Sequence, residues 1–249
     1  MKILAIIPAR MGSSRFPGKP MAQILGKPMI GHVYERVAKS PLLNMTAVAT
    51  CDQEIFDYIE SIGGKAVMTA DTYERASDRC AEALLKIEKE QGECFDIVVM
   101  VQGDEPMTHP DMISEAVQPM LDDASIQVVN LLGEIKDAAE FEDPNCIKVV
   151  CDIFGNAIYF SREPIPTRSK IDNVPMGKQV CIIPFRRDYL IEYTQLEPTP
   201  LEIAESVDMM RVLEHGQKVK MITTKHKSYA VDTIEDLKKV QSLLLENKG

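Results

Sequence analysis

The stretch ILAIIPARMGSSRFPGKP, residues 3 to 20, opens as an unbroken apolar run and turns at Arg10 into a loop of glycine, proline and three cations. The run ILAIIPA is apolar at successive positions, the pattern of a strand covered on both faces in a parallel sheet. Similar runs recur downstream as TAVAT, KAVMT, DIVVMVQG and SIQVVNLL. Between them lie amphipathic segments of helical length, PMIGHVYERVAKS, DQEIFDYIESIG, RASDRCAEALLKIEKEQG and PDMISEAVQPMLD. Pro28 and Pro110 suit first helical turns, and Gly63 and Gly92 suit helix stops. This β–α alternation predicts an α/β chain with a doubly wound, mostly parallel sheet between helices.

From about residue 145 the rhythm changes. IKVVCDIFGNAIYFS predicts two strands around a turn at Gly155-Asn156. A polar, proline-bearing stretch, REPIPTRSKIDNVPMGK, separates it from a strand, VCIIPF. LEIAESVDMMRVLEHG predicts one helix, with residues 203, 207, 210 and 213 on its apolar face. VKMITT predicts a strand, and TIEDLKKVQSLLLE a final helix with Thr233 as N-cap and Asp236 in its first turn. We expect one domain over residues 1–249 with a β-rich subregion at about 145–190.

The loop after the first strand is unusually long for a strand-to-helix connection, which is commonly about two to six residues. Gly12 and Gly18 allow close approach of the backbone to a ligand, and Pro17 and Pro20 stiffen it. Backbone N–H groups together with Arg10, Arg15 and Lys19 form a cradle for a polyphosphate. It is not a Walker A loop: five residues separate the two glycines, and Pro20 stands where Ser or Thr would hold magnesium. A polyphosphate brings a divalent cation, which needs carboxylates at strand ends. Asp104, in VVMVQGDEP, and Asp232, in YAVDTIEDL, both occupy such positions, where open α/β sheets bind their ligands.

Composition narrows the partners. Twenty-eight Lys and Arg against 38 Asp and Glu give a net charge of −10, which argues against nucleic acid and against an anionic membrane. Residues 1 to 40 invert that balance, with seven cations against Glu35 alone. Six cysteines without a CxxC pair, no signal-peptide pattern at MKILAIIPAR and no long apolar window predict a cytoplasmic protein with reduced thiols. The four histidines are scattered along the sequence and offer no zinc spacing.

Taken in order, PARMGSSRFPGKP, VQGDEP, YFSREPIP, PTPLEIAE…RVLEHGQKV and VDTIEDL resemble the CMP-Kdo synthetases, the 3-deoxy-manno-octulosonate (Kdo) cytidylyltransferases, over nearly the whole chain. The resemblance implies a Rossmann-like nucleotidyltransferase domain, homodimeric through its β-rich subregion. It implies that CTP and a sugar acid react to a CMP-sugar and pyrophosphate, with Mg²⁺ as cofactor. By the same resemblance Arg10 and Lys19 neutralise the triphosphate, and Ser13, Ser14 and Arg15 shape the loop. Ala9 and Gln102 help to read the cytosine and ribose, and Ser77 and Arg79 make further nucleotide contacts. Asp104 and Asp232 hold the metal, while Arg162, Gln179, Glu205 and Asp208 fall at the sugar-acid site.

The sequence also departs from that family. Arg75-Ala76 replaces a small Ser-Gly pair, Gln179 a histidine, Ile183 a tyrosine, Asp208 a glutamate and Met209 a glutamine. Lost polar groups at the sugar end predict that Kdo is a poorer acceptor than some other ulosonic or small acid. Two further readings stay open: a glycosyltransferase, which would carry a DxD pair where this chain has Asp104-Glu105, and a non-catalytic nucleotide-binding relative.

Overall fold

In the computed structural model, which describes residues 1–12, 16–170 and 175–246, the run Ile3–Ala9 forms strand β1 and is buried at all seven positions. A short antiparallel ribbon, β2 (Gln23–Ile24) and β3 (Lys27–Pro28), leads into helix α1 (Met29–Val37). The alternation then continues as β4 (Met45–Thr50), α2 (Gln53–Ser61), β5 (Lys65–Met68), α3 (Ala76–Gln91) and β6 (Ile97–Val101). These strands lie parallel in the order β6-β1-β4-β5, with Ile6 opposite both Ala47 and Met100. Apolar residues at consecutive positions of β1 and β6 are buried because both sheet faces are covered, as the sequence pattern requires. Helix α3 stops where Gly92 adopts φ 71° and its N–H caps the carbonyl of Glu88.

The chain divides into two compact units, Met1–Ser114 with Ser228–Gly249, and Glu115–Lys227; the boundary falls inside α4 (Pro110–Asp122). The second unit contains β7 (Val129–Glu134), α5 (Ala138–Glu142), β8 (Lys148–Cys151), β9 (Ala157–Ser161) and β10 (Gly177–Val180). It continues with β11 (Ile182–Arg186), α6 (Arg187–Thr194), α7 (Pro200–Glu205), α8 (Met209–Glu214) and β12 (Lys220–Thr223). Five of its strands form a sheet in the order β12-β7-β10-β8-β9, antiparallel except where β12 runs beside β7. The unit encloses the β-rich stretch of residues 145–190 and extends beyond it on both sides.

Two local expectations change. The segment 201–216 is two helices: Ser206 takes φ 52° at the end of α7 and Asp208 begins α8. The break lets Arg211 fold back to pair with Glu202, at 2.8 Å for both Nε to Oε2 and Nη2 to Oε1. The segment 180–185 is likewise divided at Cys181, and β10 begins in the polar residues Gly177 to Gln179, where no apolar alternation marks it. The β8–β9 hairpin forms as expected, with Gly155 at φ 75° and the Asp152 carboxylate accepting from the N–H groups of Phe154 and Asn156.

The chain returns to the first unit as α9 (Ile234–Glu246). Its cap is reciprocal: Asp236 N–H donates to Thr233 Oγ1, and Thr233 N–H donates to the Asp236 carboxylate. Val240 and Leu244 of α9 pack with Val231, Ile24 and Met29, beside Phe16 of the long loop. Among the described residues no helix is long and apolar enough to cross a membrane.

Candidate active site

The long loop leaves β1 at Ala9, which is buried, and Arg10, which is exposed. Its ends are fixed by two hydrogen bonds and a left-handed glycine. Met11 N–H donates to the Asp52 carboxylate at 2.8 Å, Gly18 N–H donates to Met11 O at 3.0 Å, and Gly18 sits in the left-handed region at φ 73°. That turn starts a single 3₁₀ turn, Lys19–Met21, and aims Lys19 into the unit.

There Lys19 meets both carboxylates expected from the sequence. Its Nζ lies 2.8 Å from Asp104 Oδ2 and 3.3 Å from Asp232 Oδ1. The side chains are 12%, 27% and 19% exposed in that order, so the three charges are screened less than a surface pair would be. Asp104 follows β6 through Gly103, where a Cβ would come within 3.0 Å of Pro8 O; glycine permits this close approach to β1. Asp232 is brought alongside by Val231 N–H, which donates to Asp104 O at 2.9 Å, and its own N–H is held by Asp236. Residues 128 positions apart in sequence thus present two carboxylate oxygens to one ammonium, and the cluster keeps a formal charge of −1.

Sequence reasoning missed the support beneath this cluster. Glu105, next to Asp104 and 5% exposed, accepts a hydrogen bond from Ser228 Oγ, which ties the segment leading to Asp232 onto the end of β6. The adjacent acids in QGDEP were the available signal. Asp52 was also missed, because its loop-fixing role depends on the parallel pairing of β4 with β1.

The remaining expected nucleotide residues are placed as follows. Gln102 is half-buried just beyond β6. Ser77 and Arg79 are buried in the first turn of α3. The Arg79 guanidinium donates to Thr69 Oγ1, Ala70 O and Tyr73 O, bracing the loop between β5 and α3. Ser13, Ser14 and Arg15 lie outside the described residues.

In the second unit, Arg162 and Glu205 come together. The Glu205 carboxylate accepts from Tyr159 Oη, Ser161 Oγ and the Arg162 N–H. The Arg162 guanidinium donates to the carbonyls of Pro144, Glu205 and Ser206. Lys148, fully buried, gives its ammonium to the carbonyls of Asp143, Cys146 and Arg162, so this corner is densely bonded. Burial, together with the nearby Glu140, pushes the Cys146 thiol up to about 11, which keeps it protonated near neutrality.

Gln179 donates its amide to Asn130 Oδ1 at 2.7 Å, while buried Asn130 donates to Val180 O and Leu131 O. Those two carbonyls fix the Asn130 amide, and it in turn fixes Gln179. Asp208 stands at the start of α8, with its carbonyl accepting from Tyr193 Oη. Ile183 and Met209 are 2% and 0% exposed, so neither offers its side chain to a ligand.

Residues 4–222 match the cytidylyltransferase family model. The chain is 44% identical over 251 residues to the 3-deoxy-manno-octulosonate cytidylyltransferase of Geobacter metallireducens, with 96% of each chain covered. It is 43% identical over 245 residues to the enzyme of that name from Syntrophus aciditrophicus, with 98% of each covered. A solved structure of CMP:2-keto-3-deoxy-manno-octonic acid synthetase complexed with CTP matches with a TM-score of 0.91 at 38% identity, covering 99% of this chain and all of that one.

Proposed function

The chain belongs to the cytidylyltransferase family, and from that premise we propose that it joins the CMP moiety of CTP to 3-deoxy-manno-octulosonate, with release of pyrophosphate. The observation that carries this reading is the convergence of Lys19, Asp104 and Asp232 at the end of the long loop after β1.

In the reaction the anomeric hydroxyl oxygen bonds to the α-phosphorus while the bond from that phosphorus to the pyrophosphate oxygen breaks. Such a transfer requires alignment and neutralisation of charge, not covalent catalysis. Arg10, exposed at the mouth of the loop, and Lys19, at its far end, are placed to take the phosphate charge. Lys19 acts where negative charge grows on the departing pyrophosphate. The Gly18 N–H bond to Met11 O brings the two ends of the loop, next to Arg10 and Lys19, close together.

The two carboxylate oxygens meeting at one point suit a hard divalent cation, and Asp104 and Asp232 would hold Mg²⁺ there. When bound, it supplies Lewis-acid polarisation of phosphate oxygens.

The acceptor reading differs from the one the sequence departures favour. Burial of Ile183 and Met209 makes those substitutions exchanges within the packed interior, not losses of ligand contacts. Identity of 44% to a named Kdo enzyme, spread over the whole chain, supports Kdo.

A second copy of the chain is the partner we propose. Ile153, Phe154 and Ile158 of the β8–β9 hairpin are 94%, 71% and 59% exposed, an apolar tip suited to burial in a homodimer. Phosphorus NMR of a reaction with CTP and Kdo tests the chemistry. Equal appearance of pyrophosphate and a CMP phosphodiester is expected, and release of inorganic phosphate instead would contradict it.

A further inference from the structure

We propose that in the nucleotide-free protein Lys19 stands in for the divalent cation between Asp104 and Asp232, and that arrival of the triphosphate draws it away so that the metal can enter. The inference rests on the nucleotidyltransferase reading of this site and adds to it an order of events.

The geometry is direct. One ammonium lies 2.8 Å from one carboxylate and 3.3 Å from the other, using the same oxygens that a hard cation would use. A divalent ion bound between those oxygens would stand almost on top of Nζ, and at that separation in a partly buried site two cations repel strongly. The two therefore compete for one place.

Release is also built into the local structure. Lys19 begins a 3₁₀ turn of three residues just after Gly18, whose N–H donates to Met11 O and whose carbonyl accepts from Met21 N–H. Its four-carbon stem swings without moving the backbone, and its ammonium has three donors that phosphate oxygens satisfy as well as carboxylates do. The backbone at Asp104 and Asp232, by contrast, is tied down: Val231 N–H donates to Asp104 O, and Asp232 N–H donates to the Asp236 carboxylate, so both residues keep their places when the lysine side chain moves.

Nucleotide and metal must then bind with positive coupling, each raising the affinity for the other by the same factor. The ion pair also offsets one of the two negative charges brought together by Asp104 and Asp232.

The test uses Mn²⁺ alone as probe, with purified full-length protein and no nucleotide, followed by the electron paramagnetic resonance of free Mn²⁺. Lys19→Met should bind Mn²⁺ at least tenfold more tightly than the wild type, and Lys19→Arg should stay weak because it keeps a cation there. A Lys19→Gln variant, with circular dichroism melts, guards against a folding defect in Lys19→Met. The rise in Tm on adding Mn²⁺ should be larger in both neutral variants than in the wild type. Equal or weaker Mn²⁺ binding in folded Lys19→Met and Lys19→Gln overturns the proposal. Because the titration contains no CTP, its result is independent of turnover. Tight binding in the neutral variants of a protein inert towards CTP would leave the stand-in role intact and overturn the cytidylyltransferase reading instead.

Discussion

Ser228 Oγ donates a 2.5 Å hydrogen bond to Glu105 Oε2 and so fastens the segment before Asp232 to the residue after Asp104. The carboxylate belongs to a residue only 5% exposed, and a buried charged acceptor is costly to leave short of a donor. Ser228→Ala should therefore lower stability by roughly 1–3 kcal/mol in urea titrations. Its kcat should fall as well, because the register between the two aspartates beside Lys19 loosens. Ser228→Thr keeps the hydroxyl and should restore both. Unchanged kcat in a destabilised Ser228→Ala protein would confine this bond to structure.

Asp104→Asn and Asp232→Asn should each remove measurable pyrophosphate release while leaving the circular dichroism spectrum unchanged. Each exchange replaces an anionic oxygen donor by a neutral amide, which weakens a hard-cation site. Each also takes one of the two carboxylates from Lys19. Full turnover in either variant would rule out a role in catalysis for that aspartate.

The Arg211–Glu202 pair in the second unit is 3% and 0% exposed, with two 2.8 Å contacts. Removing one partner strands a buried charge, so Arg211→Met should cost about 3–5 kcal/mol. The double variant Arg211→Met, Glu202→Leu removes both charges and should recover much of that loss. A double-mutant cycle by chemical denaturation measures it, and additive losses would show that the two residues are not coupled.

His32 gives the stability a pH dependence. Burial holds it below its ordinary value of 6.5; the bond to Ile24 O opposes that shift, Lys27 and Arg36 reinforce it, and Glu35 opposes it. The unfolded chain therefore binds the His32 proton more readily than the folded one. Stability from the neutral ring is fully present above pH 6.5 and is lost as pH falls through 6.5 towards the lower folded value. His32→Gln retains a donor for Ile24 O and should flatten the decline in stability between about pH 7 and pH 5. Urea titrations at stepped pH measure the slope, and an unaltered slope would assign it to other groups.

The first unit was readable in the sequence because its strands are covered on both faces and so appear as unbroken apolar runs, as in Ile3–Ala9 and Ile97–Val101. Asp104 was readable because it follows a strand of the parallel sheet, at the rim where ligands bind. Asp232 was expected at a strand end and is not at one: β12 stops at Thr223, and Asp232 lies in irregular chain just before α9, held by the Val231 bond to Asp104 O. The second unit was harder. Strand β10, Gly177–Val180, begins with Gly177, Lys178 and Gln179 and is held by pairing with β7 and, at Gly177 and Lys178, with β8, not by any alternation of its own. Nor could local sequence reveal the break at Ser206, since it is stabilised by the pairing of Arg211 with Glu202 across it. The substitutions at Ile183 and Met209 read as changes in a binding site only while their burial was unseen.

The measurement that bears most directly on the whole account is kcat/KM for pyrophosphate release with CTP and Mg²⁺, compared across Kdo, sialic-acid-like sugars and small keto acids. The account predicts that Kdo is the best acceptor, with an efficiency of about 10⁴ M⁻¹s⁻¹ or above. Efficient release with another acid and little or none with Kdo would contradict it, and would return Gln179, Ile183 and Met209 to the centre of acceptor choice.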